Sequence, residues 1–188
     1  MKQLASLIGP LLVIASCTDY TPKPYGYVRI EPQEAVYKPF VSDSLPYIFN
    51  LSQQATINWS MFTDSTKWIN IEYPDLKATI YCSHQAIIPA TLPIIENENR
   101  QLIYQLLSPY VRLKEKAYSY PEEKMYGSLF LLEGETSSPI HFVLTDSSSI
   151  LFRGALYYNC KPNADSLAPV TNYLQHDIIE LIQSFHWK

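Results

Sequence analysis

Period-two alternation is the feature that most constrains this chain. Leu45, Tyr47, Phe49 and Leu51 alternate with smaller or polar neighbours, and Ala55, Ile57 and Trp59 repeat the pattern. So do Ile69, Ile71 and Tyr73, then Leu76, Ala78, Ile80 and Cys82. Each run reads as a strand with one apolar face. Strands resume over 126–133, 139–145 and 150–160, where Ile150, Phe152, Leu156, Tyr158 and Cys160 share one parity and Arg153, Tyr157 and Asn159 the other. The links carry turn residues: Pro74-Asp75, Gly134 and Asp146-Ser147-Ser148-Ser149. Such short links make hairpins; a parallel sheet needs long crossovers.

Two stretches carry helical spacing instead. Ile95, Leu102, Leu106, Tyr110, Leu113 and Ala117 predict a helix capped by Thr91 and kinked or split at Ser108 by Pro109. Val170, Leu174, Ile178, Leu181 and Phe185 predict a second, capped by Asp165 or Ser166. The stretch 32–44 reads as irregular. The order is four strands, helix, three strands, helix. The expected class is α+β: one mostly antiparallel sheet packed with two long helices, forming a single globular domain over 27–188.

Composition supports a folded core, with 47% hydrophobic residues against 17% charged. The net charge of −4 comes without a basic run, which argues against nucleic acid as a partner. The five glycines stand at least seven residues apart. A phosphate-cradling loop needs them clustered, so P-loops and dinucleotide fingerprints are excluded.

The first residues read as an address. Lys2 precedes an uncharged, mostly apolar run from Leu4 to Ala15, too short to span a bilayer and interrupted by Gly9-Pro10. It ends in Leu12-Val13-Ile14-Ala15-Ser16-Cys17, which resembles a bacterial lipobox. The expected signal peptide is 1–16, with Cys17 lipidated. Residues 17–26, with Pro22 and Pro24, form an extended tether. Several acyl chains at Cys17 give lasting membrane attachment, at about 0.8 kcal/mol per buried CH₂.

Further segments resemble a known family. These are Tyr20-Thr21-Pro22-Lys23-Pro24-Tyr25-Gly26-Tyr27, Trp68-Ile69-Asn70-Ile71, Met125-Tyr126-Gly127 and the run from Pro139 to Ser147. Arg153-Gly154-Ala155-Leu156-Tyr157-Tyr158-Asn159 and the run from Lys161 to Val170 complete the set. Together they resemble the GldD family of gliding-motility lipoproteins. The resemblance implies a non-enzymatic lipoprotein of the Bacteroidetes-type cell envelope, anchored in the inner or outer membrane and facing the periplasm. Its partners would be other gliding or type IX secretion envelope proteins. It supplies no catalytic residues and no cofactor. The element order also resembles the PsbP/Mog1-like αβα sandwich, which leaves a periplasmic ligand-binding module as the alternative.

Few residues stand out as chemistry. His84, His141, His176 and His186 lack metal-ligand spacing, and there is no serine-nucleophile elbow. Cys82 and Cys160 share an apolar parity and read either as a disulfide or as two buried thiols. Arg153 sits mid-strand beside Gly154, whose missing side chain leaves room for a close neighbour. Its guanidinium either pairs with Asp165 or Asp146, or joins Tyr157 and Asn159 in a partner-binding surface. Asn163 and Asp165 belong to a loop that serves as a helix cap or as part of the same surface.

Overall fold

The computed structural model describes residues 35–62, 66–159 and 164–188. The signal peptide, Cys17, the tether and the 25–30 segment lie outside the described residues, as do Cys160 and Asn163.

The class is α+β, and every strand pair is antiparallel. There are two sheets where the alternation led us to expect one. The larger has seven strands: β3 (Thr56–Phe62), β4 (Thr66–Tyr73), β5 (Ala78–Ala86), β6 (Arg112–Tyr120), β7 (Met125–Glu133), β8 (Ile140–Thr145) and β9 (Ile150–Tyr158). Their order is β3-β4-β5-β9-β8-β7-β6. Two hairpin meanders, β3–β5 and β6–β9, are therefore zipped together along β5 and β9, from Ala78 opposite Tyr158 to Ala86 opposite Ile150.

The smaller sheet is β1 (Tyr37–Phe40), β2 (Tyr47–Ser52) and β10 (His186–Trp187), with β2 in the centre. β1 lies inside the stretch expected to be irregular. Its Pro39 is tolerated because β1 is an edge strand among the described residues, with no described partner on its outer side.

Helix α2 (Ala164–Gln183) and the small sheet cover one face of the large sheet. The expected stripe is buried: Val170, Leu174, Ile178 and Leu181 pack with Ile71, Ile80, Phe142 and Phe152. Phe185, just past the helix, enters the same core, and its ring centroid lies 5.2 Å from those of Tyr47 and Phe152. β10 pairs only with Tyr47 and Ile48, so Asn50 on β2 needs another acceptor for its N–H, and Ser184 Oγ takes it at 2.8 Å.

Helix α1 (Leu92–Tyr104) lies on the opposite face, and it corrects two expectations. It ends well before Pro109, and Leu113 and Ala117 belong to β6 instead. Its inward residues are Asn99 and Ile103, whereas Leu102 and Leu106 are exposed, at 55% and 38%. The connection explains where it lies. From the end of β5 the chain must cross β9, β8 and β7 to reach the far edge at β6. Four strand spacings are about 19 Å, and thirteen helical residues span about 20 Å. α1 thus covers the β6–β8 half, where Ile103 packs with Val111, Phe130 and Leu132. Among the described residues no helix lies over the β3–β5 half of this face.

Candidate functional site

The half-covered face contains a groove of about 410 Å³, bounded by α1 on one side and by residues of β4, β5, β8 and β9. Its position follows from the alternation. Trp68, Tyr81, Arg153 and Tyr157 carry the parity opposite to the core, so they point to the α1 side. Trp68, Tyr81 and Tyr157 stay substantially exposed there. Tyr81 and Tyr157 meet edge to face, 5.7 Å between centroids. Leu102, Gln105 and Leu106 form the helical wall.

Arg153 sits in this groove, half-buried. Its Nε donates to Ser83 Oγ at 3.2 Å, and its Nη1 donates to Asn99 Oδ1 at 2.7 Å. Asn99 is held by its own Nδ2, which donates to Ile95 O one turn back at 2.9 Å. No carboxylate among the described residues lies within 4.0 Å of the guanidinium.

The two carboxylates considered for Arg153 fare differently. Asp146 is occupied elsewhere: its Oδ1 accepts the N–H groups of Ser148, Ser149 and Ile150, and its Oδ2 accepts the hydroxyls of Ser148 and Ser149. Burial pushes its pKa up, but these donors prevail and hold it well below the usual carboxylate range. The side chain of Asp165 lies outside the described residues.

The room left by Gly154 is on the core side of the strand, not beside Arg153. A Cβ there would lie 2.3 Å from the Phe142 ring, which occupies the core side of the strand at that point. Cys82 stands opposite Gly154 in register, buried, and is a free thiol. Burial raises its pKa, so it is no thiolate nucleophile. β9 runs on from Gly154 to the other end of β5, where Asn159 N–H donates to Lys77 O at 2.8 Å.

Of the five residues expected at a partner surface, Arg153 and Tyr157 line the groove together. Asn159 is exposed at the strand end and is not part of it. Reading the sequence missed Ser83, Asn99, Leu102 and Leu106 as groove residues. The parity of β5 was a signal for Ser83; nothing local marked Asn99.

His84, His141 and His186 have structural partners, Glu123 for His186 at 2.7 Å. His84 Nδ1 lies 3.3 Å from Tyr47 Oη, and the two rings meet edge to face. His141 Nε2 lies 2.9 Å from Ser138 Oγ and 3.1 Å from Ser138 O. Ser138 gives its one proton to Leu156 O, so His141 Nε2 is the donor, and burial lowers the pKa of the ring. Among the described residues no three His, Cys, Asp or Glu side chains gather as a metal site, and no helix is long and apolar enough to cross a membrane.

The fold and groove define an α+β domain in which, among the described residues, one aromatic and aliphatic face of the sheet is left exposed. Residues 17–187 match the family described as gliding motility lipoprotein GldD, and the chain belongs to it. It is thus a gliding motility lipoprotein, of a membrane-anchored, envelope kind. Among curated proteins none matches. Among solved structures, the solution structure of cyanobacterial PsbP (CyanoP) from Synechocystis sp. PCC 6803 is similar at 9% identity, over 89% of this chain and 99% of that one, with a TM-score of 0.48.

Proposed function

We propose that this protein is a non-enzymatic accessory subunit of gliding and type IX secretion machinery, acting from the periplasmic side of the envelope by docking. Residues 1–16 direct export, Cys17 carries the lipid, and residues 17–26 link it to the domain at 27–188. The anchor confines the domain to one membrane surface, which raises its effective concentration toward a partner there. The family match begins at Cys17, the residue that would become the first of the mature chain, and this supports the processing scheme.

One observation carries the docking reading: the apolar side chains that the helical spacing assigns to a core are on the surface beside the groove. Leu102 and Leu106 face outward next to Trp68, Tyr81 and Tyr157. Contiguous exposed apolar surface of this kind marks interaction sites, and aromatic residues with arginine are enriched at their centres.

Chemical cross-linking of the full lipoprotein in cells, followed by membrane separation, tests the proposal. Capture of gliding or secretion components in one membrane fraction is the expected result. A protein that stays uncross-linked in both fractions contradicts it.

A further inference from the structure

We infer that the groove between α1 and the sheet recognises an acidic side chain flanked by apolar residues in an extended segment of a protein partner. This deepens the docking proposal and rests on it.

The first argument is charge. A guanidinium has five N–H donors, and Arg153 uses two, on Ser83 and Asn99. Both acceptors are neutral, and no described carboxylate is within 4.0 Å. Arg100, on α1 and outside the groove, shows the contrast: it is bound at both Nη atoms by Glu115 at 2.6 Å. A half-buried cation without a counter-charge is unfavourable until an anion reaches it. Arg153 is pinned by two hydrogen bonds, so its open N–H groups are already arranged as a fork for a carboxylate.

The second argument is the walls. Among the described residues Arg153 is the only lysine or arginine lining the groove, which suits one carboxylate better than a doubly charged phosphate. Around it stand Trp68, Tyr81, Tyr157, Leu102 and Leu106, which suit apolar flanks. Beyond the groove Leu107 and Tyr110 are exposed as well, Tyr110 at 84%. That is more apolar surface than a small free acid covers, and it favours a peptide chain.

The test uses full-length lipoprotein in detergent micelles and calorimetric titration with three probes. These are acetyl-Phe-Glu-Leu-amide, the same peptide with glutamine for glutamate, and 3-phenylpropionate. The glutamate peptide should bind at least roughly tenfold more tightly than the glutamine peptide, as a buried charge-assisted bond lost on one side only demands. Arg153→Gln should abolish that difference. Should Arg153→Gln fail to fold, Asn99→Asp provides the second arm. It turns the acceptor 2.7 Å from Nη1 into a carboxylate and gives up the Nδ2 donation to Ile95 O, so the variant should fold with a modestly lowered melting temperature and lose discrimination. Equal affinity for both peptides, absence of binding at millimolar concentrations, or an Asn99→Asp variant that still discriminates overturns the inference. Binding of 3-phenylpropionate without the glutamate peptide also overturns it, in favour of a free acid. Failed capture in cells with peptide discrimination intact would count against the docking proposal and leave this recognition standing.

Discussion

Asn99 on α1 and Arg153 on β9, 54 residues apart in the chain, are joined by a 2.7 Å hydrogen bond from Nη1 to Oδ1. It is the polar tie between a helix with few buried side chains and the middle of the sheet. Asn99→Ala removes it and leaves the half-buried guanidinium short of an acceptor. The expected cost is about 1–3 kcal/mol in urea denaturation, and Asn99→Asp, which keeps the acceptor for Arg153 but gives up the Nδ2 donation to Ile95 O, should cost less.

Gly154 and Phe142 form the second such relationship, this time on the core side. An alanine Cβ at 154 would lie 2.3 Å from the Phe142 ring, inside a packed aromatic cluster that also holds Phe152 at 5.7 Å. The Phe142 ring is buried and must shift to admit a methyl. Gly154→Ala should therefore cost about 1–3 kcal/mol, read as a lowered melting temperature.

Asp177 on α2 is 4% exposed and accepts a hydrogen bond from Tyr37 Oη at 2.7 Å. Burial raises its pKa, and the hydroxyls of Tyr37, Tyr73 and Ser52 only partly oppose that rise. The folded protein therefore holds this proton more tightly than the unfolded chain does. Asp177 favours the fold most at low pH, and its contribution falls as pH rises from about 4, the unfolded value, through the raised folded value. Asp146 acts in the opposite direction: its depressed pKa adds stability above about 4 that is lost on acidification. Comparison with Asp177→Asn separates the two. The stability difference, wild type minus variant, should shrink as pH rises through that window in urea titrations.

Leu102 and Leu106 provide the converse case. Both are exposed, so Leu102→Ser and Leu106→Ser should change stability by no more than about 0.5 kcal/mol. Under the docking proposal they should still reduce cross-linking to the partner. A large loss of stability would mean that these side chains serve the domain itself.

Two hairpins close in the same way. Tyr73-Pro74-Asp75-Leu76-Lys77 and Tyr120-Pro121-Glu122-Glu123-Lys124 each make a short helical turn and end on a lysine with φ of 49°. A left-handed lysine is strained where glycine is not. Lys124→Gly should leave stability unchanged or raise it by up to about 1 kcal/mol, measured by thermal melting.

Alternation made most of the large sheet legible, because β5, β7, β8 and β9 each bury a full face against α2. β6 was hidden. As an edge strand it buries only Tyr118, and the four-residue spacing from Leu113 to Ala117 mimics a helix stripe. The spacing at α1 misled for a related reason. Of the two residues facing the sheet there, Asn99 is polar, so Ile103 alone gave too little apolar signature for the inward stripe, while the visible stripe pointed to solvent. β10 is two residues long and exists only because the chain end folds back on β2. At the groove, the parity of Arg153 and Tyr157 was readable from one strand. Their partners Ser83 and Asn99 come from 70 and 54 residues away, and only the sheet order brings them together.

The most direct measurement is site-specific photo-cross-linking of the full lipoprotein in cells. The photoreactive residue goes at Leu106, and in a control at Trp59, which is exposed on the α2-facing side of β3. The account predicts a discrete adduct with a gliding or secretion component from Leu106, none from Trp59, and its loss when Asn99→Asp is added. Equal adducts from both positions, or an adduct at Leu106 that survives Asn99→Asp, would contradict the claim that the Arg153 groove is where this lipoprotein docks.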